Sequence, residues 1–200
     1  MKKLIILSCF VTNTIFTKAQ TKTNYKSGDL LFISSAAGQG MAIQLATKSN
    51  LTHCGIIFVE NNVPYVYHAV EPVQKSTLSE FLEFSADGKL WAKRLKDTSM
   101  LTLKNIAQLK SKALNGLGKH YDSFFNWSSN ELYCSEYIWK IYYDALKIEI
   151  GLLHPLKDYD LKHPIVQETM KKRYGENIPY SEMMVAPKDI FISDLLMDIK

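Results

Sequence analysis

Two β-rich runs separated by a pair of asparagines constrain the fold of this 200-residue chain more than any other sequence feature. The first run covers residues 53–59, and the second, at 65–70, follows the pair Asn61-Asn62. Asparagine tolerates positive φ angles, so such a pair between two strands is typical of a tight hairpin turn. The sequence therefore predicts an antiparallel hairpin in a mostly antiparallel sheet.

Helices surround this hairpin, according to the spacing of apolar residues elsewhere in the chain. Three segments have the spacing of an amphipathic helix, and two short apolar runs are typical of buried strands. The predicted helices are 41–48, 103–114 and 134–146, and the additional strands are 30–33 and 90–95. The predicted fold class is α+β, with a small antiparallel sheet packed with helices in one domain over residues 20–200.

The last fifty residues have a weaker pattern. Segment 151–185 is polar, contains three prolines and has no clear period, so we expect a long ordered excursion over the surface. Its residues Tyr159, Tyr174 and Tyr180 are expected to line the wall of the functional cleft. Pro187 is typical of a first helical turn and predicts a final helix over 187–197.

The first nineteen residues have the organisation of a secretory signal peptide. Lys2 and Lys3 form a short cationic segment, an apolar run follows at 4–11, and Thr17-Lys18-Ala19 ends in small residues suited to cleavage. We therefore predict that residues 1–19 are removed after Ala19. The mature protein is expected in the periplasm or cell envelope.

Removal of this segment changes the charge of the chain. The formal charge of +4 comes from 24 basic and 20 acidic residues, and residues 1–19 contain three of the lysines and no acid. The mature chain is therefore nearly neutral, and we expect no nucleic-acid partner. No stretch past residue 20 approaches the ~18 uninterrupted apolar residues of a membrane-spanning helix, so we expect no membrane span in the mature chain.

Cys134 is the first candidate for chemistry, because it stands at the start of the predicted helix 134–146. A thiol at a helix N-terminus lies near unsatisfied N–H groups and the positive end of the helix dipole, which stabilise the thiolate. The thiolate is the attacking species of cysteine enzymes, so the position suits a nucleophile. A small buried cysteine with a purely structural role is the alternative that position alone leaves open.

His53 and His68 lie at the same open end of the predicted hairpin. We expect them to be cross-strand neighbours with Cβ atoms about 5 Å apart. His53 can then serve as the base for a thiol, while His68 fixes its tautomer and orientation. Glu71 has the opposite strand parity and is the weaker candidate for the orienting residue.

Strand parity also bears on the second cysteine of the mature chain. Cys54 follows His53 directly, so the two side chains point to opposite faces of the sheet. If His53 meets Cys134, Cys54 is expected to face away from Cys134 into the core. A disulfide between the two cysteines would then be geometrically awkward.

Together these segments resemble the YaeF/YiiX proteins, which are circularly permuted papain-like, NlpC-like cysteine hydrolases related to the lecithin:retinol acyltransferases. The resemblance rests on Gly28-Asp29-Leu30-Leu31-Phe32, Thr52-His53-Cys54-Gly55-Ile56, residues 65–73 and Leu132-Tyr133-Cys134-Ser135-Glu136. It implies a permuted papain-like fold with Cys134 as nucleophile, His53 as base and His68 as orienting partner. It implies neither a cofactor nor a metal.

The predicted function is an exported cysteine hydrolase that cleaves an amide or peptide bond through a thioester acyl-enzyme. Its substrate is an amide- or ester-containing molecule, such as a peptide or lipid of the cell envelope. Three alternatives stay open at this point. The same triad can serve a lipid acyltransferase or thioesterase, a non-catalytic envelope binding module can keep the fold, and His53, His68 and Cys134 can ligate Zn²⁺.

Overall fold

The protein was analysed as a computed structural model that describes residues 24–35 and 39–199. The predicted signal peptide at 1–19 lies outside these residues. The helices and strands are β1 (Leu30–Ile33), α1 (Gly40–Thr47), β2 (His53–Glu60), β3 (Val63–His68), β4 (Gln74–Thr77), α2 (Leu78–Glu83), β5 (Trp91–Leu95), α3 (Leu103–Leu114), β6 (His120–Tyr121), β7 (Glu131–Leu132), α4 (Cys134–Leu146), β8 (His154–Pro155), α5 (Pro164–Tyr174), β9 (Met183–Met184), α6 (Pro187–Phe191) and β10 (Leu196–Asp198).

Six of the strands form one antiparallel sheet in the order β10-β5-β1-β2-β3-β4. The predicted hairpin is β2 and β3, the fourth and fifth strands in this order, with Ile56 opposite Tyr67. Asn61 and Asn62 form its turn with φ angles of 50° and 63°, which asparagine adopts at lower cost than most residues. The α+β class and the antiparallel sheet are therefore confirmed.

The two faces of the sheet carry cores of different size. Helix α4 packs on the larger one, where Ile56 and Phe58 of β2 meet Ile138 and Tyr142 of the helix. The smaller core lies on the opposite face, where α2 contributes Phe81. Because both faces are covered, β2 is buried over most of its length, as its nearly continuous apolar sequence requires.

A buried ion pair fixes the start of β1 against β5. The fully buried carboxylate of Asp29 accepts hydrogen bonds from Arg94 Nε at 2.6 Å and Arg94 Nη2 at 2.7 Å. The backbone N–H of Lys26 donates to the same carboxylate at 2.7 Å. Bidentate pairing of this kind offsets the cost of burying the carboxylate.

The C-terminal part differs from the expectation in two places. Segment 151–185 contains helix α5, which the sequence pattern missed because only Val166 and Met170 of its apolar residues are buried. The predicted helix over 187–197 is wrong beyond Phe191, where α6 ends. Residues 196–198 instead form β10 and pair with the free edge of β5, which satisfies backbone groups that an edge strand leaves open.

None of the helices among the described residues is long and apolar enough to cross a membrane.

Candidate active site

Cys134 is the first residue of α4 and is only 4% exposed. The buried carboxylate of Glu136 holds the chain that leads into it, because it accepts the N–H groups of Tyr133 and Ser128, each at 3.2 Å. Lys140 donates to the same carboxylate at 2.6 Å. Burial nevertheless raises the pKa of Glu136 to about 7. These contacts anchor the residues that lead into the start of the helix.

His53 and His68 are hydrogen-bonded to each other, with 2.9 Å between His53 Nε2 and His68 Nδ1. They are not directly opposite each other in the hairpin. The register that pairs Ile56 with Tyr67 places His68 across from Gly55, which is two residues after His53 on β2. The missing side chain of Gly55 makes the contact possible, since a Cβ there would lie 2.5 Å from Val66 Cγ1 and 3.2 Å from the His68 Cβ. The two imidazoles are therefore diagonal neighbours on one face.

The chain of hydrogen bonds continues from His68 to Ser76 on β4. His68 Nε2 lies 3.0 Å from Ser76 Oγ, which also accepts a hydrogen bond from Gln74 Nε2 at 3.2 Å. Burial, together with the nearby His53, lowers the pKa of His68 to about 3, so this imidazole is neutral at physiological pH. We infer that its Nε2 carries the hydrogen and donates to Ser76, which leaves Nδ1 to accept from His53.

The pKa of the Cys134 thiol lies well below its ordinary value. Hydrogen bonding from Cys54 is the largest cause, and hydrogen bonding and charge from His53 add to it against the opposing effect of burial. Since His53 Nε2 is held by His68, Nδ1 is the ring nitrogen left to face the thiol. Both cysteines are free thiols, and Cys134 Sγ also lies 4.0 Å from the carbonyl oxygen of Thr52.

The prediction that Cys54 faces away from Cys134 is therefore wrong. Alternation along β2 does hold, because His53 stacks on Phe81 in the smaller core while Cys54 belongs to the larger one. The error lay in placing α4 on the face to which His53 points. Helix α4 covers the Cys54 face, and the His53 ring reaches Cys134 because it starts from the first residue of β2, at the end of the strand.

Glu71 does not contact His53. Its side chain is 58% exposed, and its carboxylate accepts from His120 Nδ1 and from the backbone N–H of Tyr121, each at 2.8 Å. Glu71 thus positions the short strand β6, whose Tyr121 side chain lines the cleft beside Cys134. Of the two candidates, His68 is the residue that contacts His53.

A cleft of about 740 Å³, counting the space open to solvent at its mouth, leads to Cys134. Its walls come from α1, α5 and the segments before α4 and α6, and they are mostly aliphatic and aromatic. Tyr159 and Tyr174 line this cleft as expected, whereas Tyr180 is 51% exposed and is not among its lining residues. The thiol therefore stands at the end of an apolar cleft.

Comparison with known proteins agrees with this geometry. A family model described as permuted papain-like amidase enzyme, YaeF/YiiX, C92 family, matches residues 24–198. The chain belongs to the YaeF/YiiX family. The uncharacterized protein YiiX of Escherichia coli K12 is 38% identical over 190 residues, which cover 94% of this chain and 90% of YiiX.

A solved structure of YiiX from Escherichia coli O157:H7 matches with a TM-score of 0.84 and 38% identity, covering 88% of this chain and 96% of that one. The resemblance seen in the sequence and the permuted papain-like fold are thus confirmed. Membership in the YaeF/YiiX family supports a hydrolase of the papain-like amidase type.

That YiiX structure is described as a metalloprotein. In this chain, His53 Nε2 donates its hydrogen to the lone pair of His68 Nδ1 across 2.9 Å, so neither nitrogen offers a lone pair to a metal ion. Between residues 24–35 and 39–199, no group of three or more His, Cys, Asp or Glu side chains could hold a metal ion. The Zn²⁺ alternative on His53, His68 and Cys134 does not fit this arrangement.

Sequence reasoning missed Ser76 and assigned no role to Tyr121. Ser76 lies on β4, a strand of four residues whose polar sequence gives no strand signal. Nothing in the sequence connects Tyr121 of β6 with the start of α4. Their proximity to His68 and Cys134 results from tertiary packing.

The low pKa of His68 predicts how stability depends on pH. The folded protein keeps His68 neutral down to about pH 3, whereas the unfolded chain binds a proton near pH 6.5. The contribution of His68 is therefore complete above pH 6.5 and is lost as the pH falls towards 3, by at most ~1.4 kcal/mol per pH unit. His68→Gln removes the titrating group. The free energy of unfolding of this variant should therefore fall less steeply between pH 6.5 and 4 than that of the original protein.

Urea unfolding at a series of pH values measures this slope. His120→Gln is the control, because Glu71 raises the pKa of the exposed His120, and the acid-side loss of stability should remain. Equal slopes for the original protein and His68→Gln would contradict the neutral, buried state of His68.

The contact with Cys54 predicts a change in the reactivity of Cys134. In Cys54→Ala the largest cause of the low thiol pKa is absent, so the pH midpoint of Cys134 alkylation by iodoacetamide should rise. In Cys54→Ser a hydroxyl replaces the donor, and most of the lower midpoint should return. Alkylation rates are followed by mass spectrometry of the peptide that contains Cys134. An unchanged midpoint in Cys54→Ala would show that Cys54 does not act on the thiol.

Proposed function

We propose that this chain is a cysteine amidase in which Cys134 is the nucleophile, His53 the base and His68 the residue that orients His53. One observation carries the proposal. The thiol at the first residue of α4 has a lowered pKa and borders His53, whose other ring nitrogen is held by His68 at 2.9 Å. Nucleophile, base and orienting group in this sequence of contacts are what acyl transfer by a cysteine requires.

In the first step, the Cys134 proton moves to His53 Nδ1 and Sγ bonds to the carbonyl carbon of the amide. The imidazolium donates its Nε2 hydrogen to the neutral His68, which keeps the ring oriented. As the C–N bond breaks, His53 returns the proton to the leaving amine. The product on the enzyme is a thioester on Cys134.

In the second step, water attacks the thioester while His53 takes its proton, and the acid leaves as Sγ is released. The oxyanion of both steps needs hydrogen-bond donors close to Sγ. The backbone N–H of Cys134 is available, because the first N–H groups of a helix have no partner within it. Burial, and then the charge of Cys134, raises the pKa of Tyr121, so its hydroxyl stays protonated as a second donor in the cleft.

The nature of the cleft favours an apolar acyl group. Its aliphatic walls include Ile43, Val166 and Met170, which offer no hydrogen bonds to a peptide backbone. An extended polar peptide would leave its amides unpaired against these walls, at a cost for each. A fatty-acyl amide is therefore the substrate that the cleft favours over a cell-wall peptide. The lipid-acyltransferase alternative uses the same thioester and differs in whether an alcohol or amine replaces water.

We also propose that the protein is exported. Support comes from the sequence alone: the cationic Lys2 and Lys3, the apolar run 4–11 and the cleavage pattern Thr17-Lys18-Ala19. Fatty-acyl amides are found at membrane surfaces, and an exported hydrolase would meet them in the envelope.

Hydrolysis of octanoyl 4-nitroanilide tests the proposed function. We expect turnover by the original protein and a loss of about 10³-fold or more in Cys134→Ser, because a serine hydroxyl is not ionised by the same histidine. His68→Gln should retain more turnover than His68→Ala, since glutamine can accept the hydrogen from His53. Acetyl 4-nitroanilide should react more slowly, because it leaves the apolar cleft empty.

Two further measurements make this test decisive. Intact-mass spectrometry should detect one octanoyl group on Cys134, and His154→Gln, which removes an imidazole outside the cleft, should leave turnover unchanged. Equal turnover in Cys134→Ser would contradict Cys134 as the nucleophile. Absence of both turnover and acylation of the original protein with every amide tested would favour the non-catalytic binding module.

Export is tested by the N-terminus of the protein recovered from a cell-envelope fraction. We expect the chain to begin at Gln20, and Ala19→Arg should block cleavage because the bulky cation does not fit at that position. Lys18→Gln is the matched control and should be cleaved normally. A chain that begins at Met1 in the cytosolic fraction would contradict export.

A further inference from the structure

The cleft that leads to Cys134 contains one conspicuous polar group. Of the described residues that line it, Arg173 is the only one with a formal charge. Arg173 stands in the last turn of α5 and is half-buried. A cation set into an apolar wall loses part of its hydration, so a partner of opposite charge would stabilise it.

The contacts of Arg173 hold its guanidinium in place without neutralising it. Nη2 donates a hydrogen bond to Gln39 Oε1, and the side chain also hydrogen-bonds to the Tyr174 hydroxyl. Its central carbon lies 4.3 Å from the centroid of the Phe125 ring. Neither hydrogen-bond partner carries a charge, and part of the five N–H donors of an arginine stays available for another acceptor.

The other well-ordered arginine gives the contrast. Arg94 is paired with the carboxylate of Asp29 through two hydrogen bonds. For Arg173, the part of the chain that the structure describes provides no Asp or Glu oxygen within 4.0 Å. The guanidinium is therefore oriented by uncharged groups and faces the cleft without an ion pair to any of these residues.

Arg173 and Cys134 line the same cleft. Tyr121 lines it with them, and its pKa is raised first by burial and then by the charge of Cys134, while the charge of Arg173 lowers it. The thiol and the guanidinium thus act on the same phenol. An anion held by Arg173 would therefore belong to a substrate whose scissile amide reaches Cys134 in the same cleft.

We propose that Arg173 binds an anionic group on the amine side of the scissile bond, so that the substrate is an apolar acyl chain in amide linkage with an acidic amine, such as an amino acid. This proposal rests on the proposed amidase function for its reaction. The carboxylate of an N-acyl amino acid is two bonds from the scissile nitrogen, and it matches the bidentate geometry of a guanidinium. The acyl chain then packs against the apolar walls of the cleft. Apart from Arg173, none of the described lining residues carries a formal charge.

Binding of two ligands that differ in charge tests the proposal. The probes are N-octanoylglycine, which carries a carboxylate, and N-octanoylglycinamide, which is neutral. Their Kd values are measured by calorimetry with Cys134→Ala, which cannot turn them over. We expect the carboxylate to bind about 10-fold to 100-fold more tightly, the range of a charged hydrogen-bonded contact. Adding Arg173→Met should bring this ratio close to one and leave the Kd of the neutral probe within about 2-fold.

The neighbouring Lys172 provides a matched control on the same helix. Its side chain is 75% exposed and pairs with Glu168, away from the cleft. Lys172→Met in the Cys134→Ala background removes the same charge and should keep the full preference for the carboxylate. An unchanged ratio in Arg173→Met, equal Kd values in the protein that retains Arg173, or no binding of either probe would overturn the proposal.

The result can be separated from the fate of the amidase function. Turnover of the neutral octanoyl 4-nitroanilide by Cys134 with no preference between the two binding probes would sustain the amidase and refute the anion site. A preference that depends on Arg173, without acylation of Cys134 by any amide, would sustain the anion site and refute the amidase.

Discussion

The packing of α4 against the apolar face of β2 is the contact on which the site depends. Ile56 and Phe58 attract the helix by burial of apolar surface, and Ile138 and Tyr142 complete the larger core. This contact brings the first residue of the helix, Cys134, to the end of the strand where His53 begins. The same apolar packing that stabilises the domain therefore also sets the relation between the proposed nucleophile and the proposed base.

The imidazole of His68, which we propose orients His53, is the second feature on which the site depends. A carboxylate in this position would carry a charge into a pocket formed by Phe81, Phe84 and the sheet, with a large desolvation cost. His68 is neutral there and still accepts the hydrogen of His53, while Ser76 accepts from its other side. Of the two imidazoles, only His53 is then in a position to become charged during the proposed reaction.

The cleft is assembled from parts of the chain that are remote in sequence. Helices α1 and α5 contact each other and both line it, with Gln39 before α1 hydrogen-bonded to Arg173 in α5. Since α5 belongs to the C-terminal segment 151–185, that segment contributes apolar wall residues and also the one charged lining residue among those described. The proposed catalytic groups come instead from the sheet and α4, so the proposed chemistry and the proposed selectivity belong to different parts of the fold.

The sequence by itself determined the local elements and the identity of the three central residues. Two β-rich runs around Asn61-Asn62 predicted the hairpin, apolar spacing predicted α3 and α4, and helix-end chemistry singled out Cys134, because each signal arises within a few neighbouring residues. The pairing of His53 with His68 was predictable in outline, although the diagonal register across Gly55 was not. These predictions needed no knowledge of distant parts of the chain.

Tertiary structure alone decided which face of the sheet α4 covers, and with it the contact between Cys54 and Cys134. It also decided that Ser76 meets His68, that residues 196–198 pair with β5, and that Arg173 faces the cleft. None of these relations has a signal in the local sequence, because each depends on how elements that are remote in sequence pack together. The sequence thus determined the chemical groups, and long-range packing decided which of them meet.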